Sequence, residues 1–422
     1  MISKWRLFLK DSLQKLWVVA LLYAVLALVT NLAATMIGPL LPQGLGGLLG
    51  AGAVEAVLTI LASSMLTVVT FSLGIMVSSL TGAAAAVTPR AIALLKADRT
   101  TQRVLATFLG SFLYSLIGIV ALKAGVLTDN DRLVLFAVTI AVILIVVAAI
   151  LRWIDHLTVF GLMTDSIDKV ETATERAIAE RINAPYLGGH RHAGPPPPAA
   201  HAVYPATIGY IRYIHMQALQ NCAADMDCQI YLNALPGSFV HPGCPLLHLL
   251  GDLPDHSRHI LNAFTITDTR SFDQDPRFGL SVMAEIAERA LSPAVNDPGT
   301  AIDVLGRAVR LLAPLAAPRA ASLSFSRLWV PPIALADMFD DVFPPVARDG
   351  AGLFAVQMRL QKALLALSQI NPVFFGKTAY VQSQQALARC TPQLMAHEID
   401  AITTIGAQIA DTAGPHPTPK SI

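Results

Sequence analysis

Charge is scarce in this chain, and so are the side chains from which most catalytic and metal sites are built. Only 14% of the 422 residues are charged, and 30 Lys and Arg against 29 Asp and Glu leave a net charge of +1. Such a balance gives no argument for a nucleic-acid partner. There are four cysteines, Cys222, Cys228, Cys244 and Cys390, and no CxxC pair, so redox-motif and zinc-ribbon chemistry have no basis and free thiols are expected. No Walker-type loop, nucleophile–base pair or zinc-ligand spacing can be found. His256-x-x-His259 lacks a glutamate partner, and His190, His192 and His201 lack carboxylate or Cys neighbours, so they read as solvated loop histidines. No enzyme, cofactor or metal is expected on these grounds. A cleaved leader is not expected either: the start is basic, but the first apolar run is too long and no A-x-A site follows it.

Long apolar runs are what the chain has in plenty. They cover Leu16–Leu41, Val54–Gly82, Val104–Gly125 and Leu133–Leu151 and lift the mean hydropathy to +0.55. Crossing a hydrocarbon layer about 30 Å thick takes about 20 helical residues, so each run is long enough. Lys4, Arg6, Lys10 and Lys15 precede the first, and no Lys or Arg joins it to the second. Arg90, Lys96, Arg99 and Arg103 follow the second, only Lys123 and Arg132 lie between the third and fourth, and Arg152 closes the series. The positive-inside rule then places both termini on the cytoplasmic side of a bacterial inner membrane, with everything after Trp153 cytoplasmic.

The expected fold class is therefore an α-helical membrane protein with four N-terminal transmembrane helices, followed by a cytoplasmic α+β region. Residues 1–155 form the membrane domain and 156–182 continue the fourth helix. Phe160, Met163, Ile167, Val170, Thr174 and Ile178 recur there at helical spacing, and Leu133 to Ile182 could be one rod of roughly 75 Å, with only Gly161 threatening a bend. Its apolar stripe must bury against the rest of the chain or against a second copy. Residues 183–205 are rich in Gly, Pro and His and read as a linker. Residues 206–272 alternate as strand, helix and strands, a small β-rich module; Gly237-x-Phe-Val-x-x-Gly243-x-x-Leu246 resembles the turn pattern of barrel-sandwich domains. The absence of Lys from Tyr204–Ser271 excludes covalent carriage of lipoate or biotin there. Residues 273–412 read as a helical bundle, with Thr391-Pro392 as a helix start, and 413–422 as a disordered tail.

Two regions hold candidate functional residues. On the second apolar run Glu55, Thr59, Ser63, Thr67, Thr70, Gly74, Ser78 and Thr81 share one side, opposite Leu58, Leu61, Met65, Leu66, Val69 and Ile75. Such a stripe either lines a polar path, with Glu55 at its mouth selecting cations, or lets helices pack closely. Thr107, Ser111, Ser115 and Gly118 of the third run face the same choice. Arg90, Lys96, Arg99 and Arg103 either contact anionic headgroups or shape the cytoplasmic mouth of that path. In the C-terminal half, Arg277, Arg289, Asn296 and Asp297 either gather around a small anion or brace two helices, with Asp297-Pro298 as N-cap and first helical residue.

The segments SLTGAAAAVTPRAIALLKADRTTQRVLATFLGSFLYSL and DPRFGL…IAERALSPAVNDPGTA resemble a family of predicted bacterial inner-membrane proteins, domain of unknown function twenty-two fifty-four. The likeness runs over almost the whole chain. It implies four N-terminal membrane helices and a cytoplasmic domain, and brings no activity, cofactor or catalytic residue to transfer. Ser238 departs from the acidic residue expected in PGSFV. The layout is also similar to that of small-conductance mechanosensitive channels, an analogy of architecture alone. The leading expectation is a homo-oligomeric channel or channel-like transporter of ions or small solutes in the lipid bilayer, its second and third helices surrounding an axis. The alternative is a membrane-anchored ligand sensor or protein-interaction scaffold.

Overall fold

The computed structural model describes residues 16–40, 42, 52–96, 98–125, 127–251, 260–317 and 323–413. The basic residues 4–15, the pair His256 and His259, and the tail from 414 lie outside them. Two compact units divide the chain. The first takes residues up to Ala85 together with Ile92–Ser166, the second Ala86–Ala91 and everything from Ile167.

In the first unit four helices are long and apolar enough to cross a membrane. They are α1 (Leu16–Ile37), α2 (Ala53–Ala86), α4 (Arg99–Lys123) and α5 (Asp129–Leu157), with the short α3 (Pro89–Lys96) after α2. Asp98 caps α4 by accepting from Thr101 N at 2.7 Å, whereas α5 is capped at Thr128, whose N–H donates to Asp131 of the first turn at 2.7 Å. The first, third and fourth spans form the packed centre through Ala27, Val104, Phe108, Tyr114, Leu135 and Val142. Gly110 lets α1 approach α4, since a Cβ there would lie 2.5 Å from the Tyr23 ring. Helix α2 meets this centre through Val54, Leu58, Leu61 and Met65. It has 34 residues, about 50 Å at 1.5 Å per residue, so it outruns the hydrocarbon layer or tilts within it.

The expected rod is broken. Helix α5 ends at Leu157 and α6 (Met163–Asn183) restarts after Gly161, whose φ of +80° is open to glycine at no steric cost. A Cβ at Gly161 would also come within 2.9 Å of the Ser79 Cβ. The stripe on α6 is used inside the chain: Ile167, Val170, Thr174 and Ile178 are buried. It packs on α8 (Pro276–Leu291), where a Cβ on Gly279 would stand 1.9 Å from Thr174 Oγ1.

The second unit holds two small sheets and a helical group. The short strands β1 (His190–Arg191), β2 (His201–Val203), β3 (Gly209–Ile214), β4 (Gln229–Leu232), β5 (Phe239–Val240), β6 (Leu247–Leu250), β7 (Phe264–Thr267) and β8 (Leu328–Val330) form them, with α7 (Met216–Asp225) between β3 and β4. The five-stranded sheet runs β1-β8-β4-β6-β2 and the three-stranded one β5-β3-β7. Residues 183–205, expected as a linker, thus supply two strands: His201–Val203 runs antiparallel to β6, and His190–Arg191 parallel to β8. Strand β8 comes from well past residue 272, so the larger sheet is assembled from three separate parts of the sequence. Gly237 has the positive φ expected at a strand reversal, at +91°, whereas Gly243 does not.

After α8 come α9 (Pro298–Leu312), α10 (Leu335–Asp340), α11 (Phe343–Asp349), α12 (Phe354–Ile370), α13 (Pro372–Cys390) and α14 (Ala396–Ala413). Thr391 closes α13 rather than opening a helix, its hydroxyl donating to Leu387 O at 2.7 Å. The start signal that matters is Asn371-Pro372, where Asn371 Oδ1 accepts from Phe374 N at 3.1 Å. All four cysteines are unbridged, and burial pushes the thiols of Cys228 and Cys390 up.

Candidate functional site

Helix α2 turns its hydroxyl face away from the packed centre of its unit. Thr59, Ser63, Thr67, Thr70, Ser78 and Thr81 are exposed, while Leu58, Leu61 and Met65 on the other side are buried. Leu66 belongs to the exposed side, at 48%, where Phe71 and Val77 also interrupt the stripe. Ser63, Thr67, Thr70 and Thr81 each donate to a backbone carbonyl four residues earlier at 2.8–2.9 Å, which lowers the cost of holding a hydroxyl in an apolar surrounding. Glu55, at the start of the helix, pairs with Lys123 at 3.2 Å. The stripe on α4 has the opposite fate: Ser111 and Ser115 are fully buried and bond back to Thr107 and Ser111, and Gly118 packs against Leu58. Among the described residues, α2 alone of these two helices offers an open hydroxyl face.

Lys96, Arg99 and Arg103 are exposed. Arg90 bonds Glu285 of α8, a carboxylate whose pKa burial pushes up although Arg90 opposes the shift.

A cluster of arginines and aspartates gathers around the start of α8. Asp275 caps α8, accepting from Phe278 N at 3.1 Å, ahead of Pro276. Its buried carboxylate takes both Arg270 Nε at 2.8 Å and Nη2 at 3.1 Å, and the Arg270 guanidinium also stands 5.2 Å from the centre of the Phe278 ring. Gly237 leaves the room for this: a Cβ there would fall 2.1 Å from Asp275 Oδ2. Arg277 grips Asp341 at 2.7 and 3.2 Å and Asp337 at 2.7 Å, tying α8 to α10 and its C-terminal end. Burial works against the Arg277 charge, but the bond and field of Asp341 outweigh it and raise its pKa. A hollow of about 350 Å³ opens beside these groups, walled by Asn233, Ser238, Arg270, Arg277 and Asp337.

The other three sequence candidates lie at the far end of α8, twelve or more residues on from Arg277, so the four do not form one site. Arg289 and Asn296 are exposed. Asp297 caps α9, accepting from Thr300 N at 3.1 Å and from Thr300 Oγ1 at 2.6 Å, and the Thr300 bonds hold its carboxyl below the usual carboxylate range.

Arg181 was the residue not singled out by sequence reasoning. Only 8% exposed, it donates from Nη1 to Pro185 O at 3.3 Å, while its buried Nη2 has no hydrogen-bond partner among the described residues. Burial lowers its pKa to about 10, with the charge of Asp275 resisting. It walls a second cavity of about 250 Å³, otherwise apolar, with Ile178, Tyr186, Ile333, Met338 and Phe374. A signal was present: Arg181 falls three residues after Ile178, in register with the apolar stripe of α6. No group of three or more His, Cys, Asp or Glu among the described residues is placed to hold a metal ion.

Comparison with known proteins bears on the membrane unit first. No solved structure matches the chain. Uncharacterized proteins of Mycobacterium tuberculosis (strain ATCC 25618 / H37Rv) and Mycobacterium bovis (strain ATCC BAA-935 / AF2122/97) are each 29% identical over 407 residues, covering 91% of this chain and 76% of the relative. The family described as "Predicted membrane protein (DUF2254)" matches residues 14–366, which include all four apolar helices and the Arg–Asp cluster. The chain belongs to that family of predicted membrane proteins.

Proposed function

We propose that this is a homo-oligomeric, channel-like transport protein of a bacterial inner membrane, with both termini cytoplasmic and the C-terminal unit as its regulatory domain. The reading is non-enzymatic. Its main support is the uncovered hydroxyl face of α2, opposite the face packed on the rest of its unit. Exposed hydroxyls in a spanning helix find their best use against a polar path or a neighbouring copy. Helix α4, with Ser111 and Ser115 buried, serves as scaffold in this reading. The Glu55–Lys123 pair sets the charge at one end of the path.

Conductance of the reconstituted protein tests this. Thr67→Leu is expected to reduce current. Glu55→Gln leaves Lys123 uncompensated and shifts ion preference toward anions, and Lys123→Gln shifts it toward cations. Unchanged current and selectivity in all three variants would overturn the reading. The second reading, a membrane-anchored sensor, is favoured by the paired hollows of the C-terminal unit, which share Pro332 and Ile333 as walls.

A further inference from the structure

The cavity beside Arg181 combines two properties that rarely coexist without a ligand. Its walls are apolar, yet they include a guanidinium that is nine-tenths buried and has one nitrogen without a partner among the described residues. A buried donor left unmade carries its full desolvation cost, and a buried charge is ordinarily paired. The carboxylates of this region are engaged elsewhere. Asp275 is held on two oxygens by Arg270, and Asp337 and Asp341 by Arg277. Arg181 is thus attracted by Asp275 from a distance but bonded by none of them.

The walls define the chemistry of a ligand that fits them. Such a ligand supplies one hydrogen-bond acceptor, carries one negative charge and brings an apolar body. A dianionic phosphate fits poorly, because its second charge would meet apolar walls on one side and the field of Asp275 on the other. The volume also sets the scale of the part of the ligand that is buried. An apolar cavity of about 150 Å³ takes one benzene ring, so about 250 Å³ takes roughly ten carbon atoms on the same scale.

We infer that this cavity binds an apolar monocarboxylate of about ten carbons, its carboxylate pairing with the Arg181 guanidinium and its tail lying along Ile178, Ile333, Met338 and Phe374. The inference rests on neither reading of the previous subsection. It holds for a channel's regulatory domain and for a sensor alike, and its test does not involve conductance.

The test uses the full chain in zwitterionic detergent micelles, photolabelled with a ten-carbon fatty acid bearing a diazirine on its tail, with labelled peptides mapped by mass spectrometry. Label is expected at residues 332–339 and 372–375. Excess decanoate should suppress it at least about tenfold, the scale of one charge-assisted hydrogen bond, and decanol at the same concentration should not. Arg181→Met is expected to fold, because the group it removes is incompletely bonded, and to lose the label. Should that variant fail to fold, Ile333→Trp fills the cavity while keeping Arg181, and must lose the label too. Label confined to other segments, equal competition by decanol, or labelling that persists in folded Arg181→Met or in Ile333→Trp would overturn the inference.

Discussion

Single carboxylates decide where several helices begin, and Asp297 is the clearest. Its two bonds to Thr300 satisfy a first-turn N–H and fix the entry to α9, just where Asn296 takes a φ of +50°. Replacing Asp297 by Ala is expected to cost about 1 kcal/mol of stability. Because its folded pKa lies below its ordinary value of 3.8, that contribution is fully present above 3.8 and is lost as pH falls through the depressed value. Urea denaturation of wild type and Asp297→Ala across this range should therefore give a difference that closes on acidification. A difference that widens in acid would contradict the assigned sign. This residue was legible in the sequence because Asp-Pro before an apolar period is a strong local signal. Asp275-Pro276 carries the same signal and the same role. Arg181 was hidden among the charges of α6, since only the packing of α6 on its neighbours tells a buried guanidinium from a solvated one.

At the scale of elements, α6 and α9 are held together by two arginines, the exposed Arg310 on Glu171 and the buried Arg307. Arg307, 9% exposed, contacts Asp168 and Glu171 on α6 and Asp303 on its own helix at 2.5–2.7 Å. Burial opposes its charge, and the bonds to Asp168 and Asp303 prevail and raise its pKa. Arg307→Gln is expected to lower stability by about 2 kcal/mol, a value tempered by the exposure of Asp168 and Asp303. Arg307→Lys should recover little, because a single ammonium lacks the planar fork that reaches all three carboxylates. Equal stability of wild type and Arg307→Lys would show that charge alone suffices. The start of α9 at Pro298 and the presence of a helix within 206–272 were legible in the sequence, because caps and apolar periodicity are local. Strands β1 and β2 could not: two or three residues carry no period, and their partners lie in distant segments. The break at Gly161 rests on one glycine whose φ only the folded chain reveals.

At the scale of the whole molecule, the four spans were evident from length and apolar content alone, as the physics of the bilayer requires. Which stripe is open and which is packed was not, because hydroxyl spacing is alike on α2 and α4 and only tertiary packing separates them. An open hydroxyl face on α2 is the observation from which the proposed path is argued, so the arrangement of copies in the membrane is the direct test. Single-particle imaging of the nanodisc-embedded protein should give a closed ring with Thr59, Ser63 and Thr67 facing a central axis. A monomer, or a twofold dimer with those three residues buried between helices, would contradict the account.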